Sequence, residues 1–181
     1  MKPSHSMYLK KLSVSAMMLA LALLLPFITG SNKYIGQILC LMHFPVLLCG
    51  FLCGPLWGLA VGISAAPLRS VLFGMPQMPN ALYMAAELAV YGLLTGLFYK
   101  IFPKKKIFIY LSLILAMIGG RTVYAIVFLL ANIAGADTFG AVFKQILSVT
   151  LLPAWPGIIL QILLIPIILI ILKKVMNKDF I

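Results

Sequence analysis

Acidic side chains are almost missing from this sequence: Glu87, Asp137 and Asp179 are the three among 181 residues. Charged residues of both signs make up 9%, against about 25% in soluble domains, which excludes an ordinary water-soluble fold. No pair of carboxylates falls within an apolar run, so there is no obvious proton relay. The patterns H-E-x-x-H, G-x-S-x-G and G-x-x-x-x-G-K-[ST] are absent, and metalloprotease, serine hydrolase and nucleotide-driven machinery lack their usual signatures. Cysteine is scarce too. Cys40, Cys49 and Cys53 share one apolar segment; Cys49 and Cys53, four apart, lie on one helix face and not in a disulfide. Nothing groups them with histidine as a metal site would require, so no metal or cofactor is expected and they read as small buried hydrophobes.

What is present is hydrophobic length. Apolar residues make up 64% of the chain and can be divided into six segments of roughly 20 residues, predicting an all-α integral membrane protein with a single transmembrane domain over 1–181. The first segment, 12–28, follows Lys2, Lys10 and Lys11; it is too long for a secretory signal, and no A-x-A cleavage site stands between it and the next segment. Within it, Ala16 and Ala20 lie one turn apart and would let another helix approach. From 35 to 73 the apolar character is nearly continuous, and one helix of that length would be about 58 Å long at 1.5 Å per residue. A break at Gly54-Pro55 gives helices at 35–53 and 56–73. Gly50, Gly54, Gly58 and Gly62 recur every four residues across it, predicting a tight hairpin of these two helices. Helices at 80–99, 107–134 and 154–172 follow, with a short helix or lid expected at 143–152.

The net charge of +11 is a topology signal rather than a nucleic-acid surface, because the lysines flank apolar runs. With six helices, ten of the twelve lysines fall on one side, leaving Lys33 and Lys144 on the other. That side is cytoplasmic by the positive-inside rule, with both termini inside. No internal repeat is visible, which weakens the case for an inverted-repeat secondary transporter.

Arg121 stands in the middle of the 107–134 run, after Gly119 and Gly120. An arginine near the bilayer centre costs at least ~2.5 kcal/mol on insertion scales, so it is expected to face the protein interior. Counting along the helices puts His43, Arg69, Glu87 and Arg121 in the outer half of the membrane, on four different helices. Asn80 and Gln161 add amides, and Tyr83, Tyr91, Tyr124 and Trp155 are candidate aromatic walls. A one-sided polar cluster in an apolar bundle predicts a pocket open to the exterior. Two readings stand for each charged residue: Glu87 and Arg121 as a buried ion pair or as ligand contacts, Arg69 as a snorkelling or a pocket residue, and His43 as a ligand contact or a donor to a carbonyl. If Glu87 neutralises one arginine, the other is free for a ligand carboxylate.

The stretches Met42-His43-Phe44-Pro45, Glu87-Leu88-Ala89-Val90-Tyr91-Gly92 and Gly120-Arg121-Thr122-Val123-Tyr124, in this order and spacing, resemble the substrate-binding S components of energy-coupling factor (ECF) vitamin transporters. The resemblance covers nearly the whole chain. It implies a six-helix S-component bundle that captures a vitamin in an outer-leaflet pocket and associates with a T component and two cytoplasmic ATPases. It further implies that Ala16 and Ala20 dock on the T component, that loops 29–34 and 74–79 act as a lid, and that the protein topples to release substrate inside. Pantothenate and the vitamin B6 forms are the leading substrates, with the arginine count tilting toward pantothenate. Other readings of the composition are a non-transporting scaffold of the MreD kind and an intramembrane enzyme using His43 and Glu87.

Overall fold

The computed structural model describes residues 5–29, 36, 38–103, 105–133, 140, 144 and 154–175. The expected lid at 143–152, apart from 144, and most of loop 29–34 lie outside these residues, as does Lys178 of the tail. Six helices carry the fold: α1 His5–Leu24, α2 His43–Cys53, α3 Pro55–Phe73, α4 Asn80–Ile101, α5 Lys106–Ile133 and α6 Trp155–Val175. A 3-10 turn, Leu25–Thr29, extends α1. All but α2 are long and apolar enough to cross a membrane. No strand occurs among the described residues.

Turn chemistry sets most boundaries. Gly54 takes φ 99°, a left-handed value that L side chains rarely adopt, and Pro55 opens α3 at the position where its missing N–H costs nothing. Gly74 closes α3 with φ 68°, and its N–H donates to the Ser70 carbonyl. The span expected at 35–53 is interrupted. Residues 38–39 are helical, Cys40 has φ 48°, residues 41–42 form a turn, and α2 starts at His43. The Cys40 N–H donates to Gly36 and the His43 N–H to the Cys40 carbonyl, so the backbone groups freed by the break are taken up locally.

The expected glycine hairpin is only part of the packing. A Cβ on Gly58 would lie 2.8 Å from the Gly50 Cα, as the α2–α3 hairpin requires, but only 2.3 Å from the Gly92 carbonyl of α4. At Gly62 it would lie 2.3 Å from the Leu88 carbonyl, and at Gly96 2.4 Å from the Pro55 nitrogen. The glycine stripe of α3 therefore runs antiparallel against one on α4 that the four-residue spacing did not reveal. Such approach suits a membrane, where helix association rests on packing rather than on expulsion of water.

Helix α5 lies antiparallel on the other side of α4: Tyr83 meets Phe128 at 5.6 Å between ring centroids, and Glu87 meets Arg121. Helix α2 runs parallel to α4, with His43 beside Tyr91 and Phe51 beside Tyr99. Because α4 is flanked by α2, α3 and α5, eleven of its residues are buried, Glu87 among them.

Candidate functional site

Glu87 is the centre of the polar cluster. It is 2% exposed on α4 and faces three side chains through one carboxylate oxygen. The Tyr91 hydroxyl, one turn further along α4, donates to Glu87 Oε1 at 2.9 Å. Arg121 Nε of α5 lies 3.2 Å from the same oxygen, and His43 Nε2 of α2 lies 3.6 Å from it. Burying an ion costs several kcal/mol even after relaxation, so a lone carboxylate here would be untenable; the guanidinium and the phenol offset that cost. Gly120 makes the approach possible, because a Cβ there would stand 2.2 Å from the Tyr91 ring.

Arg121 also reaches sideways. Its Nη2 lies 3.6 Å from Cys40 Sγ, at the interruption before α2. The Cys40 carbonyl accepts a hydrogen bond from Gln161 Nε2 of α6 at 3.3 Å, so the Gln161 amide, 1% exposed, joins the cluster through the α2 joint. One turn beyond Glu87 toward the start of α4, Tyr83 packs edge-on against Tyr124 at 6.4 Å and Phe128 at 5.6 Å, and Tyr124 stacks on Phe128 at 6.0 Å. The result is a charged, hydrogen-bonding floor with an aromatic wall on the side toward the start of α4. Neither ring nitrogen of His43 has a hydrogen-bond partner among the described residues, though the ring is buried. Its proximity to Glu87 and Tyr91 thus leaves donor and acceptor capacity unused.

Seven of the residues singled out from sequence meet here: His43, Tyr83, Glu87, Tyr91, Arg121, Tyr124 and Gln161. The remaining three do not. Arg69 of α3 is buried, but its Nη1 donates to the Leu23 carbonyl near the end of α1, and its guanidinium lies 4.9 Å from the Phe27 ring and 5.7 Å from the Phe73 ring. It caps a neighbouring helix and stacks on aromatics, which answers the cost of its burial with no acidic partner among the described residues. Asn80 is exposed at the start of α4, and Trp155, 61% exposed, points away from the core. Cys40 and Phe128, by contrast, contact the cluster and were not singled out from sequence; a cysteine and a phenylalanine in apolar runs carry no signal of their own.

Ala16 and Ala20 are exposed on α1, off the face that buries Ser15, Met18 and Ala22. Cys49 and Cys53 of α2 pack on that buried face, with Cys49 Sγ 3.5 Å from Ser15 Oγ and Cys53 Sγ 3.7 Å from the Lys11 carbonyl. They are buried and free, consistent with small packing residues.

Fold and site together define a multi-pass α-helical membrane protein whose helices converge on one buried polar cluster. A family model described as ECF transporter, substrate-specific component, matches residues 10–170, and the chain belongs to that family. It is therefore a substrate-binding subunit of the ECF transporter class, a transport family whose substrate-specific components partner with T and ATPase modules. The scaffold reading is set aside. No curated protein and no solved structure matched the chain.

Proposed function

We propose that the Glu87–Arg121 cluster and its Tyr83–Tyr124–Phe128 wall hold a vitamin-sized molecule, pantothenate or a vitamin B6 form. It is taken from the outer side of the bacterial plasma membrane for ATP-driven release inside. The observation that carries this reading is the surplus of hydrogen-bonding capacity at a buried site: neither ring nitrogen of His43 has a hydrogen-bond partner among the described residues, Nε2 standing 3.6 Å from Glu87, and Arg121 has five N–H donors of which Nε faces Glu87 and one Nη2 faces Cys40. A hydroxyl, amide or carboxylate of the substrate fits that surplus, and the aromatic wall suits an apolar or ring portion. The argument for a carboxylate now rests on Arg121, since Arg69 is engaged with Leu23, Phe27 and Phe73.

A thermal-unfolding panel in detergent tests the reading. A ligand present at about 100 times its Kd adds about 2.7 kcal/mol to stability, so pantothenate or pyridoxine should raise the unfolding temperature clearly. No shift with any vitamin of the panel would reject capture at this site.

We also propose that Ala16 and Ala20 form the surface that meets the T component. Ala16→Leu or Ala20→Leu is expected to leave vitamin binding intact and to reduce recovery of the T component and ATPases in a pull-down from co-expressing cells. Unimpaired recovery with both variants would exclude the role.

A further inference from the structure

We propose that Cys40 is the positioning residue of this site: its left-handed backbone turn and its thiol hold the Gln161 amide and the Arg121 guanidinium in the orientation that receives substrate. The inference rests on the reading of Arg121 and Gln161 as substrate-facing groups. A non-glycine residue at positive φ is rare, and it persists only where its surroundings over-determine it. At Cys40 they do so from three directions. The chain itself supplies the hydrogen bonds Cys40 N–H to Gly36 at 3.1 Å and His43 N–H to Cys40 at 3.0 Å. Helix α6 supplies Gln161 Nε2, which donates to the same carbonyl at 3.3 Å, and Gly157, where an added Cβ would stand 2.5 Å from the Ile38 carbonyl and 2.9 Å from the Leu39 carbonyl. Helix α5 supplies Arg121 Nη2 at 3.6 Å from the sulfur.

The consequence for Arg121 is geometric. Glu87 holds its guanidinium at Nε, and that single contact leaves the plane free to turn; the Cys40 sulfur at Nη2 is a second point and fixes the plane. A planar guanidinium binds a carboxylate well only when its fork is presented edge-on, so fixing the plane sets both affinity and discrimination. Gln161 is set the same way: with its Nε2 on the Cys40 carbonyl, its Oε1 is the remaining acceptor.

Two variants separate positioning from mere packing. Cys40→Gly removes the sulfur and relieves the backbone, so the unfolding temperature is expected to hold or rise while binding of pantothenate or pyridoxine, whichever the wild type takes, weakens by about 10-fold or more. Cys40→Ser keeps a polar atom near Arg121 and is expected to bind within about 3-fold of wild type. A purely structural role would instead move stability and affinity together. A second arm needs no ligand: with Cys49→Ala and Cys53→Ala, Cys40 is the one thiol left, and its rate of alkylation by N-ethylmaleimide is compared with and without Arg121→Lys. Lysine keeps the charge beside Glu87 but lacks the fork that reaches the sulfur, so the rate is expected to change by about 5-fold or more. Wild-type affinity in Cys40→Gly, or a smaller change in the alkylation rate, would overturn the proposal. If the wild type binds neither vitamin, the substrate reading fails by itself while the alkylation arm still decides whether Cys40 holds Arg121.

Discussion

Glu87→Ala is expected to be the most damaging single substitution in the chain, costing roughly 3–5 kcal/mol, the range seen when one partner of a buried ion pair is removed. The reason lies in what remains. Arg121, largely buried on α5, would lose its only carboxylate among the described residues, and the Tyr91 hydroxyl would lose its acceptor. Low expression or a sharply lower unfolding temperature in detergent is the readout. The double variant Glu87→Gln with Arg121→Gln removes both charges and leaves a neutral amide at each position, so it should recover much of the lost stability. Recovery of folding in the double variant without recovery of vitamin binding would separate the two roles of the pair. A Glu87→Ala protein as stable as wild type would mean that the carboxylate is not the hub of the cluster.

Gly92→Ala should be nearly as severe. In an isolated helix the change would favour folding by about 1 kcal/mol, because alanine is the better helix former. The surroundings reverse the sign: a Cβ at this position would stand 2.1 Å from the Gly58 carbonyl oxygen and 2.3 Å from its carbon, both backbone atoms that cannot turn aside. Overpacking of a tight interface costs about 1–3 kcal/mol and sometimes more, and here it would push α3 off α4 and disturb Glu87 one turn and a half away. Gly119→Ala is the internal comparison, since its Cβ would meet the Leu94 Cδ1 methyl at 2.5 Å, the mobile end of a side chain. Thermal unfolding should rank the two variants clearly, with Gly92→Ala the lower. Equal stability of both would show that α3 and α4 have room to separate.

Much of this arrangement was legible in the sequence because the membrane leaves few choices. Length and Gly/Pro punctuation gave the helix count, the reversal at Gly54-Pro55 and the stop at Gly74. Depth counting brought Glu87, Arg121 and His43 to one level, and the structure places them around one carboxylate oxygen. Depth alone does not give azimuth: Arg69 shares the level, but its helix turns it toward Leu23 and two phenyl rings. The break at Cys40 was invisible for a different reason. Neither glycine nor proline marks it, and the left-handed turn is held by Gln161 and Arg121, residues 121 and 81 positions away along the chain. Likewise the α3 glycines announced close packing, but their partner on α4 is a matter of tertiary placement rather than spacing.

Substrate capture at the Glu87–Arg121 floor is the central claim, and mass spectrometry of the small molecules released on denaturing the protein, purified from cells grown in rich medium, tests it most directly. A vitamin-sized compound in stoichiometric amount, pantothenate or a vitamin B6 form, absent from a parallel preparation of Arg121→Lys, is the predicted result. Release of the same compound in equal amount from both preparations would place the substrate elsewhere in the bundle and contradict the account.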